Sequence, residues 1–152
     1  MNVLREVTED DLPFFFEHQR EPEAVRMAAF PSRDREAFMA HWRKILAGEG
    51  TERTVLSEGR VAGNIVCFER DGKHLVGYWI GSEFWGRGLA TEALREFLTE
   101  VTRRPLHAYV ATTNLGSIRV LEKCGFTLVG YETEHDEALG EKIEEALFVL
   151  EA

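Results

Sequence analysis

The chain has 152 residues, 44% hydrophobic and 30% charged, with 27 acids against 18 bases and a formal net charge of -9. That length suits one domain with a sizeable core. The acidity argues against binding nucleic acid or an anionic membrane, since either needs a basic face.

No apolar run approaches the roughly 20 residues of a membrane-spanning helix. The start of the chain lacks a signal-peptide pattern, because Glu9, Asp10 and Asp11 closely follow its short apolar stretch. Cytoplasm is the expected compartment. Cys67 and Cys124 lie far apart in apolar surroundings and read as buried free thiols. No repeat or Pro/Gly/Ser linker divides the sequence, so a single domain over 1–152 is expected.

In chain order, Val3 to Val7 reads as a short strand. Thr8, with Asp11 three residues on, offers a helix N-cap before Phe14, Phe15 and His18. A short helix is predicted over Glu23 to Ala28. A third, opened by Pro31 and Ser32, runs from Asp34 to about Ala47 and ends at Gly48 and Gly50. The period then changes to that of strands: Thr54 to Ser57, Val61 to Arg70 and His74 to Ile80. Glu58-Gly59 and Asp71-Gly72 supply the turns of an antiparallel meander. After Gly88, residues Ala90, Ala93, Leu94, Phe97, Leu98 and Val101 recur at helical spacing. Pro105 closes that segment. A strand over Leu106 to Ala111, a helix from Leu115 to Lys123 ended by Gly125, and strands over Thr127 to Glu134 and Ile143 to Leu150 complete the chain. A strand–helix–strand unit after a meander predicts an α/β (α+β) fold, a mixed sheet with helices packed on it.

Two stretches carry chemistry. Trp85-Gly86-Arg87-Gly88-Leu89-Ala90-Thr91 joins a strand to a helix. The first amides of a helix lack intrahelical acceptors and sit at the positive end of its dipole. Glycines let that backbone approach a phosphate, with Arg87 and Thr91 as further donors. Taken by itself, a tight turn that the glycines merely permit is the plainer reading. The second stretch, Asn114 to Phe126, opens on a good N-cap, Asn114, and closes on a good C′ residue, Gly125. Capping and packing by themselves account for each of its positions.

Together the two strings resemble the pyrophosphate-binding turn and the pantetheine-side helix of GNAT N-acetyltransferases. Gly88 and Ala90 match the two small positions of the turn, and Trp85 replaces the usual Gln or Arg. Trp85 to Ala93 is similar to the ribosomal-protein N-terminal acetyltransferase-like branch. The resemblance implies a GNAT-like, mostly antiparallel sheet splayed at the strand before the glycine turn to admit acetyl-CoA. It implies no metal. Tyr78, Trp79, Ile80, Gly86, Arg87, Gly88, Leu89, Ala90, Thr91, Asn114 and Ser117 would bind the cofactor, with a bulge near Tyr78-Trp79-Ile80 presenting a backbone amide to the thioester carbonyl. Asn114 would hydrogen-bond the pantetheine arm, and Ser117 would protonate the departing thiolate, since Leu121 stands where many relatives have a tyrosine.

The implied function is acetyl transfer to a primary amine, on a small molecule or a protein N-terminus, by direct attack in a ternary complex. A non-catalytic acyl-CoA-binding sensor and a plain structural domain are the alternatives. For the general base, His74 stands at the spacing of the catalytic glutamate of histone-type relatives, and histidine is a residue type suited to accept a proton near neutral pH. An idle histidine beside a turn is the plainer reading. Glu132, Glu134 and Asp136 form a second set able to meet an ammonium. His18, Phe38, His41 and Trp42 lie on the early helices, the acceptor side in the family. The expected assembly is a monomer or homodimer.

Overall fold

A computed structural model of the chain describes residues 3–21, 34–136 and 141–151, the side chains of 134–136 and 141–143 excepted. The strands are β1 (Leu4–Glu6), β2 (Thr51–Ser57), β3 (Arg60–Arg70), β4 (Lys73–Ile80), β5 (Leu106–Ala111), β6 (Thr127–Asp136) and β7 (Glu141–Leu150). The helices are α1 (Leu12–Gln19), α2 (Arg35–Ala47), α3 (Leu89–Glu100) and α4 (Leu115–Lys123). The predicted helix over Glu23 to Ala28, and Pro31 and Ser32, lie outside the described residues. One seven-stranded sheet has the order β1-β2-β3-β4-β5-β7-β6. The β4–β5 pairing is parallel and the rest are antiparallel.

Local chemistry sets these elements. Glu58 and Gly59 have φ of 52° and 79°, and Asp71 and Gly72 of 53° and 78°. Paired positive φ values match the right-handed twist of the flanking strands, so each dipeptide folds its meander turn back directly. Strand β2 begins at Thr51, three residues before the predicted start, because pairing with Cys67, Val66 and Ile65 recruits its polar first turn. Before α1 the chain makes a 3₁₀ turn over Glu9–Asp11. There the Thr8 amide donates to Asp11 Oδ2 at 2.9 Å.

Alternation along β3 separates two cores. Ile65 and Cys67 join the cluster under α3 and α4, which includes Leu94, Phe97 and Leu121. Val66, between them, joins Leu12, Phe15, Phe16, Phe38 and Trp42 of α1 and α2 on the opposite face. Helices therefore cover both faces of the sheet. Cys67 is buried and Cys124 half-buried, both as free thiols.

Candidate active site

Strands β4 and β5 pair at a single register, Leu75 with His107. Beyond it β4 stays with β3 as far as Ile80, and β5 stays with β7 as far as Ala111. Each strand keeps its outer partner and loses its inner one, so the sheet opens as a slot. The β3–β4 ladder runs from Arg70–Lys73 to Gly63–Ile80 without a register shift, so the bulge expected near Tyr78-Trp79-Ile80 is absent from it. Divergence of β4 from β5 makes the gap instead. The Gly81 amide donates to the Ala62 carbonyl at 2.8 Å. In an unbroken antiparallel ladder alternate residues share a side, so the Trp79 amide faces β3 while those of Tyr78 and Ile80 face the slot.

On the α3–α4 face the slot opens into a cleft of about 280 Å³ walled by Tyr78, Trp79, Ile80, Phe84, Trp85, the Gly86-to-Thr91 turn, Asn114, Gly116, Ser117 and Val120, with Arg87 left out. Gly86 and Gly88 have φ of 77° and 73°, and a Cβ at either would meet nothing within 4 Å. The turn thus presents open backbone to the cleft. The Gly88 carbonyl accepts the Glu92 amide at 3.1 Å, the first helical bond, so the Leu89, Ala90 and Thr91 amides precede any intrahelical acceptor. Bare amides at the positive end of a 12-residue helix fit a pyrophosphate. Arg87 stands away from the wall, because its guanidinium donates to the Glu83 carbonyl at 3.2 Å and lies 5.7 Å from the centre of the Phe84 ring. Trp85, the departure from the usual motif, ties the turn to β4 through an indole N–H donated to the Ile80 carbonyl at 2.8 Å.

Where the cleft meets the slot, the Tyr78 hydroxyl lies 2.6 Å from Ser117 Oγ and 3.3 Å from the Ser117 carbonyl. Burial pushes the Tyr78 phenol up to about 12, against a smaller opposing effect of Ser117. Asn114 Oδ1 accepts the Ser117 amide at 3.2 Å, so it does cap α4. With Oδ1 engaged in the cap, the Nδ2 donors of Asn114 are the atoms offered to a ligand.

On the α1–α2 face a second cavity, of about 350 Å³, is walled by aromatic side chains including Phe15, Phe38, Trp42 and Tyr109. It shares Tyr78, Trp79, Asn114 and Ser117 with the first. His41 and Glu145 are also on its wall, and Glu145 pairs with Ala111 at the end of β5 that leads to α4. Phe38 and Trp42 both pack in the core and line this cavity.

His74 is at the closed end of the slot and lines neither cavity. Its Nε2 lies 3.1 Å from Arg103 Nη1 and 3.8 Å from Glu69. Its spacing in sequence is that of a base, but the structure puts it at the paired end of β4, next to Leu75, which pairs with His107, and not beside the other predicted site residues. Glu132 is exposed and accepts from Tyr109 at 3.5 Å, while the side chains of Glu134 and Asp136 lie outside the described residues. His18 is buried beneath Gly81, not on the acceptor wall. Among the described residues no group of three His, Cys, Asp or Glu side chains stands where it would hold a metal ion. Nor is any helix there long and apolar enough to cross a membrane.

Sequence reasoning missed the Tyr78 hydroxyl and Glu145. The sequence placed Tyr78 on the strand before the glycine turn, but the contact of its hydroxyl with Ser117 depends on how α4 docks. Glu144 and Glu145 are indistinguishable in sequence until register assigns them to opposite faces of β7.

A profile of the Acetyltransferase (GNAT) domain matches residues 3–127. Over 100 residues the chain is 33% identical to "Putative ribosomal N-acetyltransferase YdaF" of Bacillus subtilis (strain 168), a match covering 60% of this chain and 55% of that protein. The chain spans about half the length of the curated relatives it matches. The ribosomal-protein-alanine N-acetyltransferase from Brucella melitensis has a TM-score of 0.80 to this chain at 17% identity, covering 99% of this chain and 100% of its own. Spermidine N-acetyltransferase from Vibrio cholerae, solved with CoA and spermine, has a TM-score of 0.82 at 16% identity, covering 97% and 94%. At these identities the likeness of the structures is one of fold.

Proposed function

Since the chain belongs to the GNAT acetyltransferase family, we propose that it transfers an acetyl group from acetyl-CoA to a primary amine by direct attack across the β4–β5 slot. One observation carries this reading: two cavities on opposite faces of the sheet meet at Tyr78, Trp79, Asn114 and Ser117. A donor held on one face and an acceptor on the other can reach each other there.

Acetyl-CoA, when bound, supplies the activated acetyl group as a thioester. The amides at Gly86 to Thr91 hold its pyrophosphate, and Ile80, Phe84, Leu89 and Val120 offer apolar wall to its arm. Asn114 donates to that arm through Nδ2. The Tyr78 and Ile80 amides, turned into the slot, are preorganised donors for a carbonyl oxygen as charge develops on it. Ser117 Oγ holds a proton beside the place the departing thiol needs one.

The amine enters from the α1–α2 face. Aromatic walls suit an ammonium or an apolar amine body, and Glu145 is the carboxylate on that wall able to take the amine's proton. Relatives bearing names of ribosomal-protein and polyamine acetyltransferases keep both a protein N-terminus and a small amine as acceptor classes. Thiol release measured against a panel of amines and N-terminal peptides tests the proposal. Binding of acetyl-CoA with no release across the panel would leave a non-catalytic binder, and turnover on one class names the acceptor.

A further inference from the structure

Tyr78 in β4 and Ser117 in α4 are 39 residues apart in sequence, and their hydroxyls meet at 2.6 Å where the two cavities join. We propose that Tyr78 is a positioning residue, donating its hydroxyl proton to Ser117 Oγ and thereby turning the Ser117 proton toward the slot. This rests on the reading of the slot as the place of acetyl transfer.

Either hydroxyl could donate across the 2.6 Å contact on geometry alone, and relative acidity is what favours Tyr78 as the donor. Ser117 Oγ at 2.6 Å and the Ser117 carbonyl at 3.3 Å both belong to the same residue, and the carbonyl can only accept. A phenol is also a stronger acid than an aliphatic alcohol, so Tyr78 is the better donor of the pair. Its raised pKa keeps it protonated through the working range of an enzyme. With Tyr78 donating, Ser117 Oγ already accepts one bond, and its own hydrogen must point elsewhere.

That matters because Ser117 stands in the first turn of α4, where a serine side chain has several staggered rotamers and a backbone carbonyl one turn back as a competing acceptor. The Tyr78 hydroxyl selects one arrangement and holds it before substrate arrives. Tyr78 neither gains nor loses a proton in this role. The same residue sends its backbone amide into the slot, so one strand position fixes both the amide and, through the phenol, the serine.

The test is a double-mutant cycle with three readouts. Tyr78→Phe keeps the ring and removes the hydroxyl, Ser117→Ala removes the partner, and the double variant removes both. In unliganded protein the two single changes should lower the unfolding midpoint non-additively, which reports the hydrogen bond itself. Calorimetric Kd for CoA should stay within about twofold of the parent in Tyr78→Phe, while kcat falls about tenfold, the scale of one hydrogen bond. The double variant should be no slower than Ser117→Ala alone. A kcat for Tyr78→Phe within about twofold of the parent would overturn the proposal by making the bond purely structural. A matching loss in CoA affinity, or a multiplicative loss of kcat in the double variant, would overturn it too. Failure of the parent protein to bind CoA is a separate result, which removes the underlying reading of the slot.

Discussion

Asn114 Oδ1 accepts the Ser117 backbone amide at 3.2 Å, so the residue that starts α4 also fixes where Ser117 stands. The proposed cofactor contact would use a different atom, Nδ2, from the one that makes the cap, Oδ1. Substitution separates them. Asn114→Asp keeps a capping oxygen and loses the amide donors, so its unfolding midpoint should stay near the parent's while calorimetric affinity for CoA falls about tenfold. Asn114→Ala should lose the same affinity and, in addition, about 1 kcal/mol of stability. Parent-like CoA affinity in Asn114→Asp would mean that Nδ2 makes no bond to the cofactor.

The glycine turn makes a similar division. Gly88 has a φ of 73° and open space where a Cβ would stand. Gly88→Ala should therefore cost about 1 kcal/mol through backbone conformation alone, read by urea unfolding. Gly88→Trp should pay the same backbone cost and also fill the mouth of the cleft, abolishing CoA binding in a folded protein. Normal affinity in that variant would put the phosphate site elsewhere.

Stability at low pH should depend on Asp11. This carboxylate is buried, accepts Arg5 at 2.7 and 2.8 Å, and accepts Thr54 Oγ1 at 2.7 Å. Burial acts to raise its pKa, but the bonds from Arg5, the Thr8 amide and Thr54 outweigh it and bring the group down to about 2. A carboxyl lower in the folded state than in the unfolded chain stabilises at neutral pH, and that share is lost as pH falls from about 4 towards 2. Asp11→Asn should be about 2 kcal/mol less stable at pH 7, with the gap to the parent closing across that window. A gap independent of pH would contradict the assignment.

Histidine linkage has the opposite chemistry in a separate window. The His18 ring is buried under Gly81, with Nδ1 lacking a hydrogen-bond partner. Burial lowers its pKa, although the carboxylates of Glu21, Glu83 and Glu17 pull the other way. The unfolded chain then takes up a proton at about pH 6.5 before the folded one does, so stability falls as pH drops below that value. Unfolding midpoints of His18→Gln should lack this share of the slope between about pH 7 and 5. Identical slopes in parent and variant would exclude it.

How much was legible in the sequence follows from the range of the forces involved. The meander was readable because Glu58-Gly59 and Asp71-Gly72 encode their turns locally, α3 because its apolar spacing is local, and α4 because Asn114 and Gly125 mark its ends locally. The start of β2 was not, since Thr51 to Arg53 become strand only by pairing with β3. The glycine turn and the Asn114 helix were found by motif, and the structure brings them onto one cleft. His74 was read as a base from spacing along a strand, which says nothing of which end of the sheet splays, and it stands at the paired end. Arg87 was read as a phosphate ligand from its charge, whereas the Glu83 carbonyl and the Phe84 ring hold it.

The central claim is tested most directly by titrating acetyl-CoA into the protein by calorimetry, then following thiol release in the same sample against the amine and peptide panel. The account predicts saturable binding at one site, and release with at least one amine class that Ser117→Ala slows without loss of binding. Absence of binding by the folded protein would contradict it, reducing the glycine turn and the Asn114 helix to a turn and a cap.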